Sequence, residues 1–204
     1  MTPDHHPQNY PANSIQQYLQ TAIDGGNWDA PGITSSAAEA DFTGRTAVGA
    51  VDNDDLLQLQ GNNYTGKTWM GQPITSDDTV LARYTYFGDT NLDGIVDSLD
   101  VDNVIQGFEG FGDDWLYGDF NYDGIVDSLD ITELIIGYSG QGKPLGDAIG
   151  PGQAQFLLSM AQGLTSAQIA KFDEVVGVPE PASLSVLAGG PILLAGSRRR
   201  RGRA

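Results

Sequence analysis

The sequence predicts a mainly α module of two loop–helix units packed together. A small irregular α+β region precedes it, a C-terminal apolar helix follows it, and much of the remainder is loop. A 23-residue segment occurs twice, at 88–110 and 118–140, with 14 identical positions, which indicates a duplicated unit. After each acidic loop, apolar residues recur at i, i+3, i+4 and i+7, the spacing of one helix face. The β-branched and aromatic segment 79–87 predicts a strand.

Before the repeat, the pattern predicts one helix and then short strands and loops. Residues 1–12 are polar and Pro-rich without periodicity, and we expect them to be disordered. From Asn13, apolar residues share one face until the pair Gly25-Gly26, and Asn13 with Gln16 resembles a capping pair. Residues 25–78 are rich in Gly, Ser, Thr, Asn and Asp, which favours short strands and loops. We take 13–87 as one small region.

After the repeat at 88–140, the chain predicts a linker with short helices over 141–177. Residues 139–152 are rich in glycine and contain two prolines, which favours a linker. Helical patterns follow at 153–162 and 166–176, the second with Thr165 and Gln168 spaced as a capping box.

Composition excludes several classes of function. The 204 residues carry 27 acidic and 10 basic side chains, a net charge of −17, and five of the bases lie in 198–203. Nucleic-acid binding needs a basic surface that the rest of the chain lacks. The absence of cysteine removes disulfides, thiolate nucleophiles and Cys-ligated metals, and the only histidines are His5 and His6. Excess carboxylate without His or Cys favours hard cations such as calcium or magnesium.

The two loops have the oxygen spacing of a calcium loop. Counted from its first Asp, each carries side-chain oxygens at positions 1, 3, 5, 9 and 12, a glycine at 6, and a residue at 7 that offers its backbone carbonyl. This is the EF-hand arrangement with Asp in place of Glu at position 12. Asp-Gly is also a turn signal and Asp-rich repeats can be solvated loops, but two intact loops in one register favour calcium. We predict two Ca²⁺ ions, held by Asp89, Asn91, Asp93, Ile95, Asp97 and Asp100, and by Asp119, Asn121, Asp123, Ile125, Asp127 and Asp130.

The charge of the repeat suggests that calcium is needed for folding. Residues 89–130 contain 12 acids and no Lys or Arg, so bringing the loops together is repulsive without cations. We expect Val96 and Val126 at position 8 to join the loops in a small core, and the two helix stripes to pack on each other. The stripes are Val101, Val104, Ile105 and Phe108, and Ile131, Leu134, Ile135 and Tyr138.

A strand, and not the entering helix of an EF-hand, precedes loop one, and the duplicated units with Asp at position 12 resemble type I dockerin domains over residues 88–140. The resemblance implies a non-catalytic module that docks onto cohesin domains, usually attached to polysaccharide-degrading enzymes. In that family loop positions 10 and 11 contribute to partner selection, and they correspond here to Ser98, Leu99, Ser128 and Leu129. Their identity in both repeats resembles the internal two-fold symmetry of dockerins, which allows two binding orientations. Alternatively, the leucines begin the buried helix stripes.

The C-terminal segment 178–204 resembles the PEP-CTERM sorting signal. Its motif is Val178, Pro179, Glu180 and Pro181, followed by an apolar stretch at 182–196 and terminal arginines. The resemblance implies cleavage near the motif by an exosortase-type enzyme, transient membrane anchoring through 182–196, and an extracellular or cell-surface location. That stretch is shorter than the roughly 20 residues of a stable span.

Such tails occur in exported proteins, yet the N-terminus has neither a basic region nor an apolar core of a signal peptide. We therefore expect an N-terminally truncated product. Residues 13–87 resemble the stretch that joins β-rich passenger regions to dockerin-like ends in planctomycete-type bacterial proteins.

Three functions follow from these observations. The first is a calcium-dependent docking module of a secreted protein associated with extracellular polysaccharide breakdown. The second is a surface or adhesin protein that calcium stiffens, with no cohesin partner. The third is a fragment of a glycoside hydrolase, which the sequence disfavours because its five glutamates show no acid–base pairing. We therefore predict no enzymatic activity.

Overall fold

The computed structural model describes residues 14–61, 63–142 and 146–176. This part of the chain is mainly helical, as the sequence predicts, with two small antiparallel sheets. The predicted C-terminal apolar helix at 182–196 lies outside the described residues, and no described helix is long and apolar enough to cross a membrane. The helices are α1 (Ile15–Ile23), α2 (Ser36–Glu39), α3 (Asn53–Gln60), α4 (Ser98–Phe108), α5 (Ser128–Gln141), α6 (Pro151–Met160) and α7 (Ser166–Val176).

The larger sheet pairs β1 (Thr46–Asp52) with β4 (Val80–Tyr86), with Thr46 opposite Tyr86. The prediction of a strand at 79–87 is therefore confirmed. A second, minimal sheet pairs β2 (Thr68–Trp69) with β3 (Gln72–Pro73). Residues 25–78 also contain α2 and α3, which the prediction of strands and loops missed, because both helices are short and their first turns are set by side-chain caps.

Helix α1 is confirmed, but its predicted cap at Asn13 is wrong by one residue. The Ser14 hydroxyl accepts a hydrogen bond from the Gln17 backbone N–H at 3.1 Å, which satisfies an otherwise free donor of the first turn. Asn13 itself lies outside the described residues. The helix ends at Ile23, two residues before the predicted Gly25-Gly26 pair, and Gly25 then takes a φ of 64° that suits glycine.

One hydrophobic core joins the N-terminal region to the repeat. Its centre is Trp115, in a 3₁₀ turn between the repeats, with its ring 5.0 Å from that of Phe120 and 5.6 Å from that of Tyr122. The Trp115 indole N–H donates to the Asp89 carbonyl at 2.8 Å, and the Tyr122 hydroxyl donates to the Val48 carbonyl at 2.8 Å. Loop one is thereby bonded to Trp115, and loop two is bonded to strand β1.

Helix α5 buries its predicted stripe, whereas Ile105 and Phe108 of the α4 stripe are only partly buried. The two helices do not pack mainly on each other, contrary to expectation. Helix α4 packs on the turn Trp115–Tyr117, while α5 packs on α7, α6 and β4. The 3₁₀ turn between the repeats carries bulky side chains that occupy the space next to α4. Tyr138 of α5 instead meets Phe172 of α7, with ring centroids 5.8 Å apart.

The helices after the repeat differ slightly from their predicted bounds. Helix α7 matches 166–176, and its capping box is confirmed: the Thr165 N–H donates to Gln168 Oε1 at 2.8 Å, and the Gln168 N–H donates to Thr165 Oγ1 at 3.3 Å. Helix α6 begins earlier than predicted because Pro151 starts it, the position where proline costs no hydrogen bond. Helix α5 continues to Gln141, so the linker is shorter than 139–152.

Strand β1 packs so closely on Trp115 that position 49 has no room for a side chain. A Cβ atom at Gly49 would lie 2.5 Å from the indole ring, so Gly49→Ala should lower the free energy of unfolding by about 1–3 kcal/mol. The matched control is Gly152→Ala in helix α6, where no atom lies within 4 Å and alanine should stabilise by up to about 1 kcal/mol. Urea unfolding of both variants measures the difference, and equal stability would contradict the packing.

Candidate metal centre

Each acidic loop takes the same backbone path. The position-6 glycines, Gly94 and Gly124, have φ of 100° and 84°, which only glycine adopts at low cost. Leu92 and Tyr122 at position 4 are also left-handed, with φ of 58° and 59°. Such a conformation costs a non-glycine residue on the order of 1 kcal/mol or more. It is held here because both side chains are fully buried in the core.

The first half of loop one is closed by hydrogen bonds from its own amides to the predicted ligands. The Gly94 N–H donates to Asp89 Oδ2 at 2.9 Å, and the Asp93 N–H donates to Asp89 Oδ1 at 3.0 Å. The Asp93 N–H also reaches Asn91 Oδ1 at 2.9 Å, and the Ile95 N–H reaches Asp93 Oδ1 at 3.0 Å. The side chains at positions 1, 3 and 5 therefore lie on the inner side of one turn.

Loop two repeats this pattern position by position. The amides of Gly124, Asp123 and Ile125 donate to the side chains at positions 1, 3 and 5, with donor–acceptor distances of 2.8–3.1 Å. The agreement covers residues that the two repeats share in sequence.

The position-12 aspartate ties the second half of each loop to the first. Asp100 Oδ1 accepts from the Thr90 N–H at 2.9 Å, and Asp100 Oδ2 accepts from the Asp97 N–H at 2.8 Å. Asp130 makes the equivalent bonds to the amides of Phe120 and Asp127, both at 2.9 Å. Position 12 therefore links position 2 to position 9 and caps the following helix in both repeats.

Burial makes these carboxylates costly to keep charged. Asp89, Asp100, Asp119 and Asp130 are fully buried. Burial raises the pKa of Asp89 to about 7, although the Thr85 hydroxyl opposes the shift by donating to it. Burial also raises the pKa of Asp130 to about 7 and that of Asp100 well above its ordinary value, with the charge of Asp89 adding to the second effect. A cation in the loops would relieve this cost.

The donor set has the chemistry of a hard-cation site. In the described residues, no three or more Asp, Glu, His or Cys side chains form a group that could hold a metal ion as they stand. Yet each loop offers carboxylate and amide oxygens at the predicted positions, and calcium prefers such ligands. In addition, Oε2 of Glu133 on helix α5 is buried without a hydrogen-bond partner, and a buried carboxylate oxygen in that state favours a nearby cation.

The repeats differ at two positions that matter here, one of them Glu133 itself, and neither difference was recognised in the sequence. In repeat one, the Asn103 amide donates to Thr90 Oγ1 at 2.8 Å, and the Thr90 hydroxyl donates to Asp100 Oδ1 at 2.7 Å. In repeat two, Phe120 replaces the threonine and Glu133 replaces the asparagine. Burial first, and then the charges of Asp130 and three other loop-two aspartates, raise the pKa of Glu133 to about 8. The sequence signal that could have found them is that these two positions differ between the aligned repeats.

Segments outside the repeat also contact loop one. The Gln141 side chain accepts from the Val96 N–H at 2.9 Å and donates to the Val96 carbonyl at 2.5 Å. The Asp147 N–H donates to Asp97 Oδ2 at 3.2 Å. Val96 is buried and Val126 partly buried against the same core. Sequence spacing within the repeat gave no sign of Gln141 or Asp147.

The predicted partner-binding residues lie at the first turns of α4 and α5. Leu99 and Leu129 are 54% and 53% exposed, so they do not belong to the buried helix stripes. Ser98 and Ser128 begin the two helices and are partly exposed. The predicted sorting residues Val178, Pro179, Glu180 and Pro181 lie outside the described residues.

The hydrogen-bonded chain from Asn103 through Thr90 to Asp100 can be tested by Thr90→Val. This change removes the acceptor of the buried Asn103 amide and one of the two hydrogen bonds that Asp100 Oδ1 accepts. We expect it to lower the free energy of unfolding by about 1–3 kcal/mol. Thr21→Val is the control, because Thr21 is an exposed helix residue and its replacement should change stability by at most about 0.5 kcal/mol. Urea unfolding at one calcium concentration measures both variants. If both have the same free energy of unfolding as wild type, these hydrogen bonds do not stabilise the fold.

The chain matches no protein-family model, no curated protein and no solved structure. The geometry of the two loops is therefore the basis on which a function is proposed.

Proposed function

We propose that the chain is a non-catalytic, calcium-binding docking module of a secreted bacterial surface protein. The observation that carries the proposal is that both loops make the same hydrogen bonds at the same positions, around the same oxygen ligands. Both copies of the duplicated loop therefore keep the turn that brings the oxygens at positions 1, 3 and 5 to its inner side, as a calcium loop requires.

Calcium is the ion that the ligand types favour. Asp and Asn oxygens at positions 1, 3, 5, 9 and 12, with a carbonyl at position 7, supply the oxygen ligands that Ca²⁺ takes in flexible loops. Mg²⁺ demands a tighter octahedron and gives up its water reluctantly. The residues proposed to hold the two ions are those predicted from the sequence, with Asp89 and Asp119 at position 1 and Asp100 and Asp130 at position 12. The bound ions would supply the positive charge that these buried carboxylates lack.

Docking to a protein partner is supported by the exposed leucines at position 11. Leu99 and Leu129 each expose more than half of their surface at the start of a helix that the calcium loop positions. The resemblance of the repeat to type I dockerins makes a cohesin-type domain the proposed partner. An association with extracellular polysaccharide breakdown, and sorting through 178–204 by an exosortase-type enzyme, rest on the sequence resemblances alone.

One observation favours the second candidate, a calcium-stiffened surface protein without a cohesin partner. The Ser98 N–H donates to the Asp147 carbonyl at 3.0 Å, and the Ser98 carbonyl accepts from the Gln153 amide at 3.0 Å. The backbone at position 10 of repeat one is thus already bound by Asp147, which precedes helix α6, and by Gln153 of that helix. In this candidate the ions stabilise the fold and the leucines contact nothing specific.

Calcium should order the repeat helices, because it cancels repulsion among the buried loop carboxylates. We expect the helical circular dichroism signal of the full chain to fall when a chelator removes calcium and to return on its addition. Magnesium at the same concentration is the control and should restore less of the signal. A helical signal that is unchanged by chelator would contradict calcium-dependent folding.

Docking should depend on the position-11 leucines. A pull-down with a panel of cohesin domains in calcium should capture the chain, and the double change Leu99→Ala with Leu129→Ala should reduce capture at least about tenfold, as expected for central apolar contacts. Leu57→Ala is the matched control, since Leu57 is a 40% exposed leucine far from the repeat in sequence. Calcium binding without capture by any cohesin would favour the second candidate.

A further inference from the structure

We propose that the two calcium loops are unequal sites, and that loop two binds calcium more tightly and fills first. Glu133 adds a carboxylate beside loop two, whereas the guanidinium of Arg83 lies against loop one. This inference rests on the proposed function, in that it assumes both loops bind calcium. It assigns to Glu133 and Arg83, which lie outside the ligand sets, the role of setting the order of filling.

Glu133 belongs to loop two by position and by environment. It lies three residues after Asp130 on helix α5, so the two side chains share one face of the helix. Its Oε2 atom is buried without a partner, and the nearby charges acting on it are those of the loop-two aspartates. Asn103, at the same position of repeat one, is neutral and already donates to Thr90. Helix α5 therefore offers loop two a buried carboxyl group where helix α4 offers loop one a neutral amide.

Arg83 acts on loop one in the opposite sense. Its Nη1 atom donates to the carbonyl of Leu92, at loop position 4, at 2.9 Å. A Cβ at Gly94, at position 6, would lie 2.9 Å from Arg83 Nη2, so the guanidinium is in contact with the loop. The ring of Trp69 lies 5.9 Å from the guanidinium carbon and covers it. A fixed positive charge here repels a divalent ion in loop one.

The equivalent contact in loop two is neutral. The carbonyl of Tyr122, at position 4, accepts from the side-chain amide of Gln20 on helix α1, at 2.6 Å. The same backbone atom is thus bound by a cation in loop one and by an amide in loop two. Burial strengthens the repulsion between the Arg83 guanidinium and an ion in loop one. Asn91 and Asp97 of loop one are buried, whereas Asn121 and Asp127 of loop two are partly exposed.

The test is a calorimetric titration of the full chain with CaCl₂ at fixed pH and ionic strength. We expect two binding steps of different affinity. Asp93→Asn and Asp123→Asn, which each remove an exposed position-5 carboxylate, assign the steps to the loops. Asp123→Asn should abolish or weaken the tighter step, and Asp93→Asn the weaker one. The opposite assignment, or two equal steps, would overturn the proposal.

Single charge changes then test the cause. Glu133→Gln should weaken the tighter step about tenfold and leave the weaker step unchanged, and Arg83→Gln should strengthen the weaker step about tenfold, as expected for one charge near a divalent ion. Glu109→Gln and Lys171→Gln are controls of equal charge change at exposed positions, and should shift neither step. If either control shifts a step as far as its partner does, the effect is one of net charge and the proposal fails.

A further variant avoids the buried site. Gln20→Arg places a cation on the loop-two carbonyl without altering the core, and should weaken the tighter step about tenfold. Circular dichroism in saturating calcium identifies any variant that does not fold. If Glu133→Gln does not fold, the result for Gln20→Arg decides, and an unchanged tighter step overturns the proposal. Wild type that binds no calcium would overturn the proposed function itself, whereas two equal sites would overturn only this inference.

Discussion

Closure of each acidic loop by its own position-12 aspartate is the constraint on which the rest of the structure depends. Asp100 and Asp130 each accept from backbone amides at positions 2 and 9, which bends twelve residues into one ring and starts the following helix. The cost is that fully buried carboxylates lie near the other acidic side chains of their own loop. Buried charge of this kind needs a partner, either a proton or a cation. The proposed calcium ions would meet that need.

The core around Trp115 makes the two loops and the N-terminal region one structure. Trp115 donates to the backbone of Asp89 in loop one, stacks with Tyr122 of loop two, and leaves room only for glycine at position 49 of strand β1. An ion that orders either loop would therefore also stabilise the sheet. This arrangement explains why left-handed Leu92 and Tyr122 persist, since their buried side chains hold the strained backbone in place.

Local patterns in the sequence predicted the parts of the fold that depend on neighbouring residues. Strand β4, helix α7 with its Thr165 cap, and the buried faces of α4 and α5 follow from periodicity and capping over a few residues. The packing of α5 on α7 was not predictable, because the contact between Tyr138 and Phe172 joins residues that no periodicity relates. Helix α2 was missed because it is only four residues long and its first turn is set by a single side-chain cap, at Ser35.

In the site, too, features set by neighbouring residues were predictable and long-range contacts were not. Repetition predicted the loop oxygens, because most of their hydrogen-bond partners lie within each loop. The matching positions drew attention away from Thr90, Phe120 and Glu133, which differ between the repeats. Arg83 acts on loop one from strand β4, outside the repeated segment, and its contact with Leu92 depends on how the strand meets the loop.

The most direct measurement of the central claim follows the amide resonances of Gly94 and Gly124 by NMR as calcium is added to the labelled chain. Both amides donate to the position-1 carboxylate of their loop, so a calcium ion on that carboxylate must change their environment. The account predicts that both resonances shift and stop shifting once about two equivalents of calcium are bound. Resonances that stay in place in excess calcium, in a chain that is folded, would contradict it.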